Sequence, residues 1–285
     1  MKTILVPTDF SENAENALYY AIDLAKRENA KIILLNAFQI NYKNPEVPLD
    51  FVLEEAKQVH NESITQLKTE SLKIAQVSNL KYEIISLEDS PVGGILNTIK
   101  QKKIDLVIMG TKGVSNVFGS IFGSNTSKII EKANCPVIAV PEEALFSEIK
   151  EITYATAYNH SDIYALQKVI DMAKLFDAHV NVLHISDKLN LLDEEKTKFK
   201  TFMDEVNAKI KYNNISFEIL EGENIEDTLE DYLQQNKTDL LIMSTHHRSF
   251  FDKIFGNSIT KYMSCRVTVP LMAFHHSDKS AVLVY

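Results

Sequence analysis

DLVIMGTKGVSNVFGSIFGSNT (residues 105–126) passes from an apolar run through a glycine-bearing segment into a polar one. Leu106-Val107-Ile108-Met109 has the composition of a strand buried on both faces of a parallel sheet. The run stops at Gly110. Gly113 follows after two residues, and Gly123 with Ser124 after nine more. Beyond them Lys128-Ile129-Ile130-Glu131-Lys132 reads as a helix. A strand, a glycine loop and a helix start therefore follow one another. Glycines let a ligand approach the main chain closely. A helix start presents unpaired N–H groups and the positive end of the dipole. Together they form a seat for phosphate, to which Ser124 and Thr126 can add hydroxyl donors. The spacing G-x2-G-x9-G-[ST] is not a Walker A loop, because Gly123 is followed by Ser124 and Asn125 and not by lysine, and it is not G-x-G-x-x-G. On the residues alone, turn punctuation is the competing reading.

The other half of such a site belongs at the N-terminus. Lys2-Thr3-Ile4-Leu5-Val6-Pro7-Thr8-Asp9 is a short apolar strand ending in a polar turn. Ser11 is a plausible N-cap. Ala14, Ala17, Leu18, Ala21, Ile22 and Ala25 follow at helical spacing. Asp9 thus stands just past the carboxyl end of the first strand, where open α/β sheets bind ligands if the strand order reverses there. With strands one and four as neighbours, Asp9 would face the Gly110 loop. Its carboxylate could accept from a ribose hydroxyl or an adenine amine. The alternative is that Asp9 caps the helix.

ILVPTDFSENAENAL together with MGTKGVSNVFGSIFGSNTSKIIEKANCPVIAVP resembles a universal stress protein domain of the ATP-binding kind, over essentially all of residues 1–142. The resemblance implies a five-stranded parallel sheet with helices on both faces, a fold of the adenine nucleotide alpha hydrolase type. It implies adenine and ribose contacts from Pro7, Thr8, Asp9 and the strand-two end near Ala37, with Met109 counted beside them. It implies phosphate contacts from Gly110, Gly113, Gly123, Ser124, Asn125 and Thr126. ATP, with Mg²⁺ as its companion ion, is the implied cofactor.

The residues themselves agree with a parallel doubly wound sheet in which strands and helices alternate. Strands are expected at 3–6, 31–37, 82–85, 106–109 and 137–140. Helices are expected over 14–29, 53–77 and from Pro91 to about 102. Lys57, Glu62, Lys68 and Glu70 in the long helix read as a solvated outer face.

The second half repeats the first. Asp105-Leu106-Val107-Ile108-Met109 returns as Asp239-Leu240-Leu241-Ile242-Met243. Lys31-Ile32-Ile33-Leu34-Leu35-Asn36 returns as His179-Val180-Asn181-Val182-Leu183-His184, and Tyr82-Glu83-Ile84-Ile85 is read against Phe217-Glu218-Ile219-Leu220. The expected organisation is two domains, 1–142 and 150–285, each doubly wound, forming an intramolecular pseudo-dimer through their fifth strands and leaving a further homodimer open. In the second copy three glycines, the carboxylate and a proline of the site are replaced, while Ser258 keeps the chemistry of Ser124. Gly110 becomes Ser244, Gly113 becomes His247, Gly123 becomes Asn257, Asp9 becomes Ala157 and Pro7 becomes Ala155. The carry-over of binding residues therefore stops at the first domain.

The chain has 285 residues, 45% apolar and 24% charged, as in ordinary globular domains. Its net charge of −9 disfavours nonspecific nucleic-acid binding. Cys135 and Cys265 form neither a disulfide framework nor a metal-ligand spacing. No apolar stretch reaches the length of a membrane helix, and a cytoplasmic protein is expected. The resulting expectation is a stress-response regulator that binds ATP in the first domain, with no dedicated catalytic residue and an unnamed protein partner. A slow ATP hydrolase or nucleotidyl transferase using Asp9 or Lys112 is the enzymatic alternative. A binding module for a metal or another anion, built on His160, His246, His247, Arg248, His275 and His276, is the other.

Overall fold

A computed structural model describes residues 2–40, 48–77, 79–111, 124–144, 146, 148–158, 162–186, 193–244 and 269–274. They form two compact units, one for each sequence repeat.

The first unit contains β1 (Thr3–Pro7), α1 (Glu12–Glu28), β2 (Lys31–Phe38), α2 (Leu49–Ala75), β3 (Tyr82–Glu88), α3 (Pro91–Lys102), β4 (Leu106–Gly110), α4 (Ser124–Lys132) and β5 (Val137–Val140). Its strands are all parallel, in the order β3-β2-β1-β4-β5. The order reverses between β1 and β4. Right-handed crossovers then place α1 and α2 on one face of the sheet and α3 and α4 on the other.

Local chemistry sets the element ends. Ser11 caps α1, its Oγ accepting from the Ala14 amide at 3.2 Å. Asn29 ends that helix in the left-handed conformation, φ 48°. The apolar residues of the central strands are fully buried, as strands covered on both faces must be.

The long helix α2 departs from the sequence reading. Lys57, Glu62 and Lys68 are exposed, but Glu70 is buried. Its inner face is Ser63, Leu67, Glu70, Ser71 and Ile74, which have helical spacing. The polar residues among them obscure the apolar stripe from which a core face is normally read.

The second unit contains β6 (Glu151–Ala155), α5 (Asp162–Phe176), β7 (His179–Ser186), α6 (Asp193–Lys209), β8 (Ile215–Glu221), α7 (Ile225–Gln235), β9 (Leu240–Ser244) and β10 (Leu271–Phe274). Its parallel order, β10-β9-β6-β7-β8, is that of the first unit. Thr3 pairs with Lys31 and Glu151 with His179, so β1/β2 and β6/β7 correspond at a constant offset. The third strands correct the sequence alignment. Leu34 pairs with Ile84 and its counterpart Val182 pairs with Phe217. Ile84, not Tyr82, is therefore the counterpart of Phe217. A slip of two residues keeps every side chain on its own face, so the hydrophobic alternation could not detect it.

The repeated aspartates are architectural. Asp105 Oδ2 accepts from the Lys2 and Thr3 amides at 2.9 and 2.8 Å. Asp239 Oδ2 accepts from the Lys150 and Glu151 amides at 2.8 and 2.9 Å. Each pins the start of one central strand to the start of its neighbour.

Candidate functional site

At the carboxyl ends of β1 and β4, where the strand order reverses, the first unit holds a cleft. Its walls are Pro7, Thr8 and Asp9 after β1, Ala14 of α1, Leu35 and Ala37 of β2, Pro91 and Ile95 of α3, Met109 and Gly110 of β4, and Ser124, Asn125 and Thr126 of α4. Ligands of doubly wound sheets bind at such switch points. The described residues enclose about 110 Å³, less than the roughly 300–1,000 Å³ of a complete small-molecule cleft. Residues 112–123, between β4 and α4, lie outside the described residues. Gly113, Gly123 and Lys112 fall there.

The cleft has two kinds of wall. Pro7, Leu35, Ala37, Pro91, Ile95 and Met109 make one apolar, suited to the face of a flat ring. Asp9 and the first turn of α4 make the other polar. Ser124 and Asn125 are exposed at the start of the nine-residue α4. Their backbone N–H groups belong to the helix start, which favours an anion. A base, a sugar hydroxyl and a phosphate each find a chemically matching surface. The donor set therefore fits a nucleotide.

Asp9 does not cap α1; Ser11 does. Asp9 Oδ1 instead accepts from Ser11 Oγ at 2.6 Å and from the Ser11 amide at 3.2 Å. These bonds hold an exposed carboxylate at the rim of the cleft. Behind it, Thr8 Oγ1 accepts from the Phe10 amide at 3.0 Å, and Phe10 takes the left-handed φ of 63°. Asn36 Nδ2 donates to the Thr8 carbonyl at 2.8 Å, and Ser63 Oγ of α2 donates to Asn36 Oδ1 at 2.8 Å. The turn carrying Asp9 is thus held from α2 as well as from β2.

Two residues named for phosphate have structural duties. A Cβ at Gly110 would stand 2.9 Å from the Asn13 carbonyl oxygen and 1.9 Å from Asn13 Oδ1. The glycine lets α1 pack against the end of β4. Thr126 Oγ1 donates to the Gly110 carbonyl at 2.8 Å in a buried bond. Its proton ties α4 to β4 and is not directed to a ligand. Ala14, Leu35, Pro91 and Ile95 were missed from sequence. The proline that opens α3 right after β3 was the one available signal, since it places a helix start at the carboxyl edge.

Elsewhere the reactive groups are quiet. Burial pushes the Cys135 thiol up to about 12, so it is a small hydrophobe at neutral pH. Among the described residues no group of three or more His, Cys, Asp or Glu is placed to hold a metal. His160, His246, His247, His275, His276 and Arg248 lie outside the described residues. No helix among the described residues is long and apolar enough to cross a membrane.

An open parallel α/β unit present twice in one chain, with a cleft at the switch point of the first, defines the class: a tandem doubly wound protein with a ligand-type cleft in its first unit. The Universal stress protein family model matches residues 1–141 and again 148–275, and the chain belongs to that family. A universal stress protein of Methanocaldococcus jannaschii is 29% identical over 145 residues, spanning 49% of this chain and 81% of the relative. Another, from Bacillus subtilis, is 28% identical over 144 residues, spanning 48% of this chain and 97% of the relative. The crystal structure of a universal stress protein from Archaeoglobus fulgidus superposes with a TM-score of 0.70 at 16% identity, covering 98% of this chain and 97% of that one. The fold of each unit is therefore that of a universal stress protein domain.

Proposed function

We propose that the first unit binds an adenine nucleotide, ATP with Mg²⁺, and that the protein acts as a stress-response regulator whose second unit serves a structural or partner-binding role. The observation that carries this reading is the joint position of Asp9 and the α4 start on the cleft where the strand order reverses. In this reading the base lies against Pro7, Ala37 and Met109. Asp9 accepts from a ribose hydroxyl or the adenine amine. The amides of Ser124 and Asn125, beside Gly110 and Thr126, receive the phosphates, with Gly113 and Gly123 as the further contacts that the family resemblance implies. Mg²⁺, when bound, would offset phosphate charge.

The second unit differs at the two points that matter most to this reading. Ala157 stands in the place of Asp9 and Ser244 in that of Gly110. Binding is expected once per chain. Mass spectrometry of small molecules released from the native protein, followed by calorimetric titration with ATP, tests this. One adenine nucleotide per chain, with affinity reduced in Asp9→Ala, is the expected result. Two per chain, or none at any concentration, would remove the reading.

A further inference from the structure

A continuous row of hydrogen bonds runs from the turn that carries Asp9 to the surface of α2. Asn36 Nδ2 donates to the Thr8 carbonyl at 2.8 Å. Ser63 Oγ lies 2.8 Å from Asn36 Oδ1, Ser86 Oγ lies 2.8 Å from Ser63 Oγ, and His60 Nδ1 lies 3.1 Å from Ser86 Oγ. Asn36 and Ser63 are buried, Ser86 is half-buried, and His60 is exposed. Asn36 and Ser86 are partners in the β2/β3 register, so their side chains share one face of the sheet. The His60 ring also lies against Phe38, the last residue of β2, with 6.0 Å between ring centres.

Proton counting fixes the direction of every bond. A backbone carbonyl only accepts, so the Asn36 amide nitrogen faces Thr8 and Oδ1 faces Ser63. Oδ1 also only accepts, so the Ser63 proton goes to it. A serine hydroxyl has a single proton, so Ser63 meets Ser86 as an acceptor. The Ser86 proton is used there, and Ser86 in turn accepts from His60. His60 Nδ1 therefore carries a proton, the tautomer being set by the bond the ring makes.

We infer that His60, Ser86, Ser63 and Asn36 are positioning residues for the cleft: they form one directed hydrogen-bond chain that orients the turn carrying Asp9 and holds the surface imidazole of His60 with its proton on Nδ1. The positioning role rests on reading the cleft as a nucleotide site; the direction of the chain does not.

Linked hydrogen bonds polarise one another and favour a single arrangement. A carboxylate aimed at a ribose hydroxyl or an amine needs such support, because recognition depends on residues locked from behind. The second unit offers the contrast. His184 stands in the place of Asn36 and donates from Nδ1 to the Thr156 carbonyl at 2.8 Å. Its register partner is Ile219, where the first unit has Ser86. The turn carbonyl keeps a donor, but an apolar side chain stands where the row would continue. Ala157 replaces Asp9 in that same turn. The serine link thus accompanies the turn that presents a carboxylate.

The test joins nitrogen NMR of the full chain, with its imidazoles neutral, to calorimetric titration with ATP. The His60 signal is assigned by its loss in His60→Gln, and circular dichroism checks folding. Wild type should show the Nδ1–H form at His60. Ser86→Ala should remove that preference. Ser63→Ala should remove it too, although Ser63 reaches His60 only through Ser86, because the freed Ser86 proton can then turn to the imidazole. Ser63→Thr keeps the hydroxyl and should keep the tautomer. Ser63→Ala should lose about fivefold in ATP affinity, the scale of one hydrogen bond, and Ser63→Thr should restore it to within about twofold. The Nε2–H form at His60 in wild type, or a tautomer unmoved in a folded Ser63→Ala, overturns the chain whatever the cleft binds. Should Ser63→Ala not fold, an unmoved tautomer in Ser86→Ala overturns it instead. Wild-type ATP affinity in a folded Ser63→Ala overturns the positioning role alone. No ATP binding by the wild type overturns that role and the reading of the cleft together.

Discussion

After β1, Thr8 Oγ1 accepts from the Phe10 amide and Phe10 takes φ 63°; after β6, Thr156 Oγ1 accepts from the Tyr158 amide and Tyr158 takes φ 44°. The Thr8 carbonyl accepts from Asn36 Nδ2 at 2.8 Å, and the Thr156 carbonyl from His184 Nδ1, also at 2.8 Å. A carbonyl can only accept, so Nδ1 carries the proton. The backbone scaffold of the turn is thus preserved across two repeats that differ in most side chains. What changes is the surface the scaffold presents. The first turn presents Asp9 to an apolar-walled cleft. The second has Ala157 there, the buried Asp162 in place of Ala14, and Tyr158 packed edge-on against His184 at 3.9 Å and against Phe199 at 5.9 Å. Residues common to both turns build the fold, and residues confined to the first are the candidates for ligand chemistry.

The sharpest way to break this comparison is an exchange at the end of the fourth strand. Gly110→Ser puts a side chain into the Asn13 backbone and should destabilise the first unit by up to about 3 kcal/mol. Ser244→Gly in the second unit should cost no more than about 1 kcal/mol. Denaturant unfolding of both variants checks this, and equal losses would mean that α1 is free to move away.

The aspartate braces should behave as twins. Asp105→Ala and Asp239→Ala each leave two strand-start amides without their carboxylate, at a cost of about 1–3 kcal/mol apiece. Chemical denaturation should find the two losses alike. A clear inequality would show that the braces are not equivalent.

Asp9→Ala should weaken ATP binding by at least about tenfold, roughly 1.4 kcal/mol, with little change in stability. Ala157→Asp should not create a second site, because Asp162, Tyr158 and Ser244 remain. Stoichiometry by calorimetry distinguishes the two, and a second ATP in Ala157→Asp would break the comparison.

The smallest effect concerns Glu83, whose carboxyl is held below the usual carboxylate range by Lys102 and then Lys31, both at 2.5 Å. A lowered folded-state pKa contributes stability above the ordinary carboxylate range, and that stability disappears as pH falls through the lowered value. Glu83→Gln should therefore cost less than about 1 kcal/mol at pH 7, and the cost should shrink as pH falls through the lowered value. The counterpart by strand register is Ser216, so Ser216→Ala should show no such pH dependence in the same unfolding series.

Strand alternation, the repeat and the glycine spacing made the fold legible, because periodicity and composition report burial directly. The place of Asp9 on the cleft was legible for the same reason: it lies one step beyond an apolar run. Gly110 was visible, but its reason was not. A glycine required by a neighbouring helix and one required by a ligand look identical in a single chain. Thr126 was read as a donor to phosphate, yet its proton goes to a carbonyl sixteen positions earlier, which only tertiary structure can reveal. Glu70 was placed on the outer face because charge is normally solvated. The inner face of α2 contains enough polar residues to conceal it.

Asp105 also has a consequence for synthesis. Its bond to Lys2 joins residues 103 positions apart, and β1 lies between β2 and β4 in the middle of its sheet. At about 5–20 residues per second, roughly 5–20 s separates the appearance of the first strand from that of the neighbour that completes it. During that interval the β4-side edge of β1 has no partner in a nascent chain. An uncovered edge of this kind can pair with other chains. The second unit repeats the wait, with Glu151 and Asp239 separated by 88 positions. Each half of the molecule thus passes through a stage on the ribosome in which its middle strand depends on sequence not yet made.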